Sequence, residues 1–274
     1  MNWISTPLGI HILLNLNGKH AGKCFKVFDK VSKVLIHKKE FLIKNKLFQF
    51  VSDGKKFLLD TKSQFNLEKE IFTSSQESSA AVKNWINQYG DFQFEPEKYN
   101  YPEAKALLTN VCMYKGAWKS SMVKVHNSFS YTEDIKYEVR MLVVSICDDV
   151  SFAIVVPNET DVLCHLVQKL HEEGLSAALT TIQPAFTATC KQNLPTFQFN
   201  SSIVLRVPPD AKTTISQYGC VTVDQTGIDI KVLSCLLVGK GSNFDSNCPQ
   251  ISNDCFSFAL IYKDWPIFTG QVLP

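Results

Sequence analysis

Residues Cys220 to Ile261 read CVTVDQTGIDIKVLSCLLVGKGSNFDSNCPQISNDCFSFALI, and this stretch decides the fold. Val221 and Val223 alternate with polar residues, which predicts a strand with one buried face and one wet face. Gly227 then interrupts the pattern and offers a backbone joint that a residue with a Cβ would resist. We therefore expect the chain to leave a strand through a glycine hinge.

The segment after the hinge keeps a two-residue period. Ile228, Ile230 and Val232 fall on one face, and Asp229 and Lys231 fall on the other. A disordered linker has no reason to keep such a period. The pattern therefore predicts a segment that can form a strand.

Residues 239–253 are rich in Gly, Ser and Asn, which predicts an exposed loop. Phe256, Phe258 and Leu260 then resume the pattern of a buried strand. A long loop inside a compact domain is usually either functional or disordered. We interpret this one as a bait presented to a partner, and a disordered insertion is the alternative.

Composition is that of an ordinary globular protein, with 274 residues, 45% of them hydrophobic and 20% charged. No apolar run approaches membrane-spanning length, and the first residues lack the pattern of a secretory leader. We expect no membrane association. Helical patterns concentrate early, as at 7–14, 25–36 and 80–89, and strand patterns dominate later, which predicts the α+β class. Ser74 to Glu77 resembles a capping box for the third helix.

Nine cysteines, an odd number, are scattered along the chain and mostly lie in apolar runs. No spacing suggests zinc, and free thiols in a reducing compartment are the simpler interpretation. Two glycosylation-type triplets, at Asn158 and Asn200, argue weakly against it.

Charge is unevenly distributed. Residues 1–70 hold 13 Lys and 6 Asp or Glu, whereas the remainder holds 15 basic and 20 acidic residues. A basic third could contact a polyanion, and a solvated helix surface is the interpretation that we favour. The lysines first implicated in such binding are Lys38, Lys39, Lys44 and Lys46.

Enzyme signatures are missing from the sequence. There is no nucleophile elbow, phosphate-binding loop or dinucleotide fingerprint, and the six histidines share no spacing. Cys235 could be a nucleophile, but no nearby histidine would activate it. We expect neither an enzyme nor a cofactor or metal site.

Several motifs, in order over nearly the whole chain, resemble those of the serpins. They are NWISTPLGI at 2–10, LTNVCMYKGAW at 108–118, LPTF at 194–197, CFSF at 255–258 and FTGQVLP at 268–274. The resemblance implies one serpin domain over 1–274, with a large central mixed β-sheet, further sheets and helices. It also implies a reduced version that lacks the first helix and several peripheral elements. Reduced, cysteine-rich serpins without a leader are similar to those that poxviruses encode.

The resemblance implies a protease inhibitor, acting as a monomer on a host serine or cysteine protease, with a cytoplasmic location favoured over an extracellular one. The protease would cut a reactive-centre loop at about 227–253 and form an acyl-enzyme, and the loop would then enter the central sheet as a new strand. A non-inhibitory serpin-fold binding protein or decoy is the alternative.

The resemblance also implies three groups of site residues. The loop hinge comprises Gln225, Gly227, Ile228, Ile230 and Val232. The sheet-opening switch comprises Thr6, Asn110, Trp118 and Gln217. Counts from the hinge and from the returning strand disagree by about three residues, so the scissile bond is placed in a window of Lys240, Gly241, Ser242, Asn243, Phe244, Asp245 and Ser246.

Some of these positions depart from the family pattern. Gln217 replaces a usual histidine, Gln225 replaces an acid, and Ile228 replaces Thr or Ser. After Ile228, bulky residues occupy the positions at which small residues ease loop insertion in the family. Since overpacking a sheet typically costs about 1–3 kcal/mol per misfit, we expect slow or partial insertion.

Overall fold

The computed structural model describes residues 2–18, 24–51, 65–95, 104–118, 128–134, 139–157, 186–189, 196–207, 213–239 and 256–273. Within these ranges the elements, in chain order, are β1 (Trp3–Ser5), α1 (Pro7–Leu16), α2 (Cys24–Leu35), β2 (Phe41–Phe50), β3 (Leu67–Phe72), α3 (Ser75–Asn87), β4 (Ala104–Ala117), β5 (Ser128–Asp134), β6 (Val139–Cys147), β7 (Val150–Pro157), β8 (Phe186–Thr189), β9 (Phe197–Val207), β10 (Thr213–Val223), β11 (Gly227–Gly239), β12 (Phe256–Tyr262) and β13 (Trp265–Val272).

Six strands form one sheet in the order β3-β2-β4-β11-β10-β9. The β2–β3 pair is parallel and the other four pairs are antiparallel, so the sheet is mixed, as predicted. The sequence of β4 is apolar almost throughout from Ala106 to Tyr114, a pattern that predicts a central strand covered on both faces. The strand lies inside the sheet between β2 and β11, and Leu108, Val111 and Cys112 are fully buried.

Seven strands form the second sheet, in the order β1-β13-β12-β7-β6-β5-β8. Its strands are antiparallel throughout the described register. The sequence pattern between β12 and β13 also predicts a tight turn at 263–266. The turn is shorter in the structure, because only Lys263 and Asp264 lie outside the strands, and Lys263 has a left-handed φ of 54°.

Helix α1 is buried against both sheets, with contacts to β4, β11 and β13. Pro7 occupies its first turn, and the Thr6 side chain caps it by accepting a hydrogen bond from the Gly9 N–H at 3.2 Å. Leu8, Ile12 and Leu13 are fully buried in a core that contains residues of both sheets. The predicted helix is confirmed.

Helix α3 covers the opposite face of the six-stranded sheet. Val82, Trp85 and Ile86 pack in a second apolar cluster with Leu107 of β4 and Leu233 of β11. Ser74 is the N-cap, but its side chain makes no capping hydrogen bond, so the predicted capping box is wrong in that detail. The two clusters together cover the middle of the sheet on both faces.

The sequence pattern also predicts helices at 55–63 and 162–170 and a turn at 52–54, and all three fall outside the described residues. Within the described part of the chain, none of the helices has the length and apolar character needed to cross a membrane.

Candidate functional site

The segment after Gly227 is a central strand in this structure. β11 pairs with β4 from Gly227 opposite Ala117 to Gly239 opposite Ala104. On its other side, residues 228–236 pair with β10 in an unbroken antiparallel register. The whole strand thus lies in the sheet. Slow or partial insertion after cleavage of the loop stays a prediction.

The even-numbered side chains of β11 point into the core between the sheets. Ile228 is 2% exposed, and Ile230, Val232 and Ser234 are fully buried. The three apolar side chains join the core that also contains α1. The sheet therefore accommodates the bulky residues that we expected to hinder insertion.

The other face of β11 is wet only near its beginning. Asp229 and Lys231 are partly exposed, but Leu233 and Cys235 are buried under α3. This face turns apolar because α3 and the chain that follows it lie over the strand, which the sequence of β11 alone did not indicate.

Gly227 is required for a different reason from the one predicted. Its φ does not lie in the left-handed region. A Cβ at this position would instead overlap the carbonyl oxygen of Gly116 and crowd the Cα of Ala117 on β4. The glycine thus permits the close approach of two strands.

Three of the four predicted switch residues gather in one buried polar cluster. The Gln217 Nε2 atom donates to the Ser234 Oγ atom at 2.9 Å and to the Thr6 carbonyl at 3.3 Å. The Ser5 hydroxyl donates to the Gln217 Oε1 atom at 2.6 Å. Gln217 therefore links β10, β11 and the chain leading into α1, and its own amide is satisfied without a titratable group.

Asn110 contributes to the same cluster from β4. Its Nδ2 atom donates to the Asn45 Oδ1 atom at 2.8 Å, and Asn45 in turn donates to the Phe65 carbonyl at 2.8 Å. The Asn110 Oδ1 atom is buried without a hydrogen-bond partner among the described residues. A Cβ on Gly9 would lie 2.5 Å from this oxygen and 2.9 Å from the Ser234 Oγ atom, so only glycine fits there.

Trp118, the fourth predicted switch residue, lies apart at the end of β4. Its indole Nε1 atom donates to the Asp224 carbonyl at 2.8 Å, and its backbone N–H donates to the Thr226 carbonyl at 3.2 Å. Its ring packs edge-on against Phe152 of the second sheet. Gln225, the predicted first hinge residue, is exposed in the turn between β10 and β11.

The predicted scissile window, 240–246, lies outside the described residues. Sequence patterns did not single out Asn45, Gly9 or Asp224 as site residues. An asparagine within the apolar pattern of β2 and a glycine inside an apolar helix were the available signals for the first two.

The cysteines of the site are unreactive by environment. Burial raises the pKa of the Cys112 thiol to about 12, and burial also raises the pKa of the Cys235 thiol. These two are free, as are Cys147 and Cys220, the other cysteines whose side chains are described. The sequence-based rejection of Cys235 as a nucleophile agrees with its full burial.

Part of the basic surface is neutralised by neighbours. Lys46, whose side chain is 14% exposed, lies 2.6 Å from a Glu70 carboxylate oxygen. Lys38 lies 3.8 Å from an Asp149 oxygen and 5.4 Å from the centroid of the Tyr262 ring. Polyanion binding stays a prediction.

No family model matches the sequence, and no curated protein matches it. Among solved structures, the whole chain matches cleaved Serpin 42Da, with a TM-score of 0.70, 17% identity and 90% of that chain covered. It also matches the thermophilic serpin Tengpin in the latent state, with a TM-score of 0.70, 15% identity and 92% of that chain covered. A loop-inserted, cleaved ovalbumin mutant matches over the whole chain, with a TM-score of 0.63, 11% identity and 93% coverage. The chain therefore has the serpin fold.

Proposed function

We propose that this chain is a serpin-type protease inhibitor that acts by cleavage and insertion of its reactive loop. The observation that carries the proposal is the position of β11 between β4, with which it pairs along its whole length, and β10, with which residues 228–236 pair. This strand is the hinge segment that the sequence placed next to the bait loop. Its thirteen residues fit the sheet in full register up to Val238, with a single shift at Gly239.

The energetic drive follows from what β11 gains in the sheet. It acquires backbone hydrogen bonds on both edges, and Ile228, Ile230 and Val232 leave water for the core. Burying three branched apolar side chains contributes roughly 5–8 kcal/mol by area bookkeeping. A loop outside the sheet has none of these contacts, so they favour insertion after cleavage.

The chemical sequence that the serpin resemblance implies begins with a protease nucleophile. A serine or cysteine of the protease attacks a carbonyl in the window 240–246, an acyl-enzyme forms and the new amino terminus leaves. Insertion of β11 then carries the attached protease away from the bait position before water can complete hydrolysis. The inhibitor supplies no catalytic group in this scheme.

The target and setting rest on sequence resemblance alone. We propose a host serine or cysteine protease, a monomeric inhibitor in the host cytoplasm, and an origin among the reduced serpins of poxviruses. A modulator of host inflammation or apoptosis is the corresponding role.

A non-inhibitory binding protein or decoy is the second candidate, and one observation favours it. β11 occupies the sheet in the intact, uncut chain. Tengpin, one of the matches, is in the latent state. A chain that settles in such a state presents no extended hinge to drive protease trapping.

A protease panel tests the proposal. The purified chain is incubated with trypsin-like, chymotrypsin-like and caspase- or granzyme-like proteases, and the products are boiled in detergent. We expect one enzyme to give a complex that survives boiling, together with cleavage between residues 240 and 246. Cleavage or binding without such a complex would favour the decoy.

A further inference from the structure

A single carboxylate oxygen organises the turn that leads into β11. The Asp224 Oδ1 atom accepts hydrogen bonds from the Thr226 N–H at 2.6 Å, the Thr226 hydroxyl at 2.6 Å and the Gly227 N–H at 3.1 Å. The Asp224 N–H donates to the Gly227 carbonyl at 3.1 Å. The turn therefore depends on the Asp224 side chain as much as on the backbone.

The backbone conformation of this turn is unusual for a two-residue hairpin. Such hairpins favour turns with positive φ, typically Asn-Gly, because these match the twist of the strands. Neither Gln225 nor Thr226 has a positive φ. The carboxylate supplies the acceptor that closes this less favourable turn.

The arrangement leaves the Asp224 carbonyl available to another strand. In an ordinary hairpin this carbonyl would accept the Gly227 N–H, which here goes to the Asp224 side chain. The carbonyl instead accepts the Trp118 indole N–H at 2.8 Å, and the adjacent Thr226 carbonyl accepts the Trp118 backbone N–H at 3.2 Å. The turn is thereby fastened to the end of β4, the strand on the far side of β11.

We propose that Asp224 is the positioning residue for strand insertion, because its carboxylate folds the turn that holds the start of β11 between β10 and β4. We call the hydrogen bonds among Asp224, Thr226, Gly227 and Trp118 the clasp. The proposal rests on the insertion step of the proposed function. In this structure the clasp occurs together with the inserted strand, in which Val223 lies opposite Ile228 across the hairpin.

The electrostatics of the carboxylate agree with this role. The hydrogen bonds from Thr226 and from the Gly227 N–H hold the pKa of Asp224 below its ordinary value. The Asp224 carboxylate is therefore ionised throughout the neutral range.

The experiment compares variants after the loop has been cut in the window 240–246 with a broad-specificity protease. Pulsed hydrogen exchange follows how quickly the amides of residues 228–236 become protected. We expect D224A to slow this protection about tenfold, on the order of the loss of one net hydrogen bond. D224N should fall between D224A and wild type, because an amide oxygen can accept the same three hydrogen bonds but lacks the charge that strengthens them.

Asp229→Ala is the matched control. It removes a carboxylate from the same hairpin, one that lies 4.0 Å from a Lys115 ammonium with an 85% exposed side chain. In this variant the amides of residues 228–236 should become protected at the wild-type rate. If the amides of residues 228–236 are already protected before the cut, their hydrogen-exchange rates are measured in the uncut variants instead. These amides should then exchange about tenfold faster in D224A than in wild type.

Equal rates for D224A and D229A would overturn the proposal, and so would an unprotected β11 in cut wild-type protein. If D224A does not fold, T226V removes one of the three hydrogen bonds and should give a change of about threefold, with an unchanged rate counting against the clasp. The proposed function can fail independently of the clasp. If protection depends on Asp224 but the chain traps no protease, the role of the clasp stands and the inhibitor function is contradicted.

Discussion

The Gln217 side chain donates a hydrogen bond to the Ser234 hydroxyl at 2.9 Å, and both residues are fully buried. The bond joins the centres of β10 and β11 on the side that faces α1. It forms only when β11 lies in the sheet, so the polar cluster around Gln217 distinguishes the inserted state from a state with β11 outside.

Removing the Ser234 hydroxyl should weaken the inserted state selectively. In S234A the Gln217 amide keeps the Thr6 carbonyl at 3.3 Å but loses its shorter partner. A buried polar group that loses a partner costs about 1–3 kcal/mol. Urea unfolding of the loop-cut protein should register this loss.

The exposed Ser202 of β9 provides the control for that measurement. S202A should change the free energy of unfolding by no more than about 0.5 kcal/mol. Equal losses in the two variants would contradict a special role for the Gln217–Ser234 bond.

Protonation of Asp224 at low pH should remove the stabilisation that its carboxylate gives to the inserted state. Its pKa is lowered in the folded protein from an ordinary 3.8, so its contribution is fully present above about pH 4. It is lost as the pH falls through the lowered pKa. The melting temperature of the cut wild-type protein should therefore approach that of D224N only below about pH 4.

The measurement is a series of melting curves between pH 7 and pH 3 for both proteins. A difference that closes near pH 6 would instead indicate a raised pKa, and would contradict the three hydrogen bonds to the carboxylate.

The alternation of Ile228, Ile230 and Val232 was sufficient to predict a strand and its buried face. It could not show what covers the opposite face, because Leu233 and Cys235 are buried by α3, which lies about 150 residues earlier in the chain. The hydrophobic period of a strand shows which of its faces is apolar, but it does not show which distant elements of the chain cover each face.

Only some residues of the polar cluster around Gln217 could be identified from the sequence, because the cluster is also built by segments that are distant in the chain. Thr6, Asn110 and Gln217 were identified through family resemblance, and the structure brings them together. Asn45 was missed because a lone asparagine in an alternating strand is ambiguous between an exposed and a buried position. The clasp was missed because the hydrogen bonds that tie its turn to β4 come from Trp118, which lies more than a hundred residues away.

All nine cysteines should be free thiols, and they should differ in accessibility. Thiol titration of denatured, unreduced protein should find close to nine groups. Among the four cysteines whose side chains are described, Cys220 and Cys147 should react first in the native protein at pH 8, more slowly than a free thiol because burial raises the pKa of each.

Cys112 and Cys235 should react only on unfolding, since both are fully enclosed. Alkylation followed by mass spectrometry identifies the modified residues. Several disulfides in the denatured sample would contradict both the free thiols and the reducing compartment.

Heparin and DNA should bind weakly and dissociate at about physiological salt. The Lys46 ammonium is paired with the Glu70 carboxylate, whereas the Lys39 side chain is exposed. A K39A/K44A double variant should reduce whatever retention a heparin column shows, and K46A should leave it nearly unchanged. Retention of wild type at high salt would show that the basic third is a binding surface.

Ile230 reports whether β11 lies in the sheet before the loop is cut. Its side chain is fully buried, opposite Tyr114 of β4 and Val221 of β10. Truncating such a side chain typically costs about 2–5 kcal/mol through lost burial and a residual cavity. In the cut protein, I230A should lower stability by this amount.

The intact protein separates the two functional candidates. If β11 already occupies the sheet, I230A destabilises intact and cut protein equally, as expected of a latent-like decoy. If β11 is held outside until cleavage, I230A leaves the intact protein nearly unchanged and reduces only the gain on cutting, as the inhibitor requires. D229A, which removes a partly exposed side chain from the same strand, should change neither form by more than about 0.5 kcal/mol. An I230A variant that loses no stability in either form would mean that β11 enters the sheet neither before nor after cleavage.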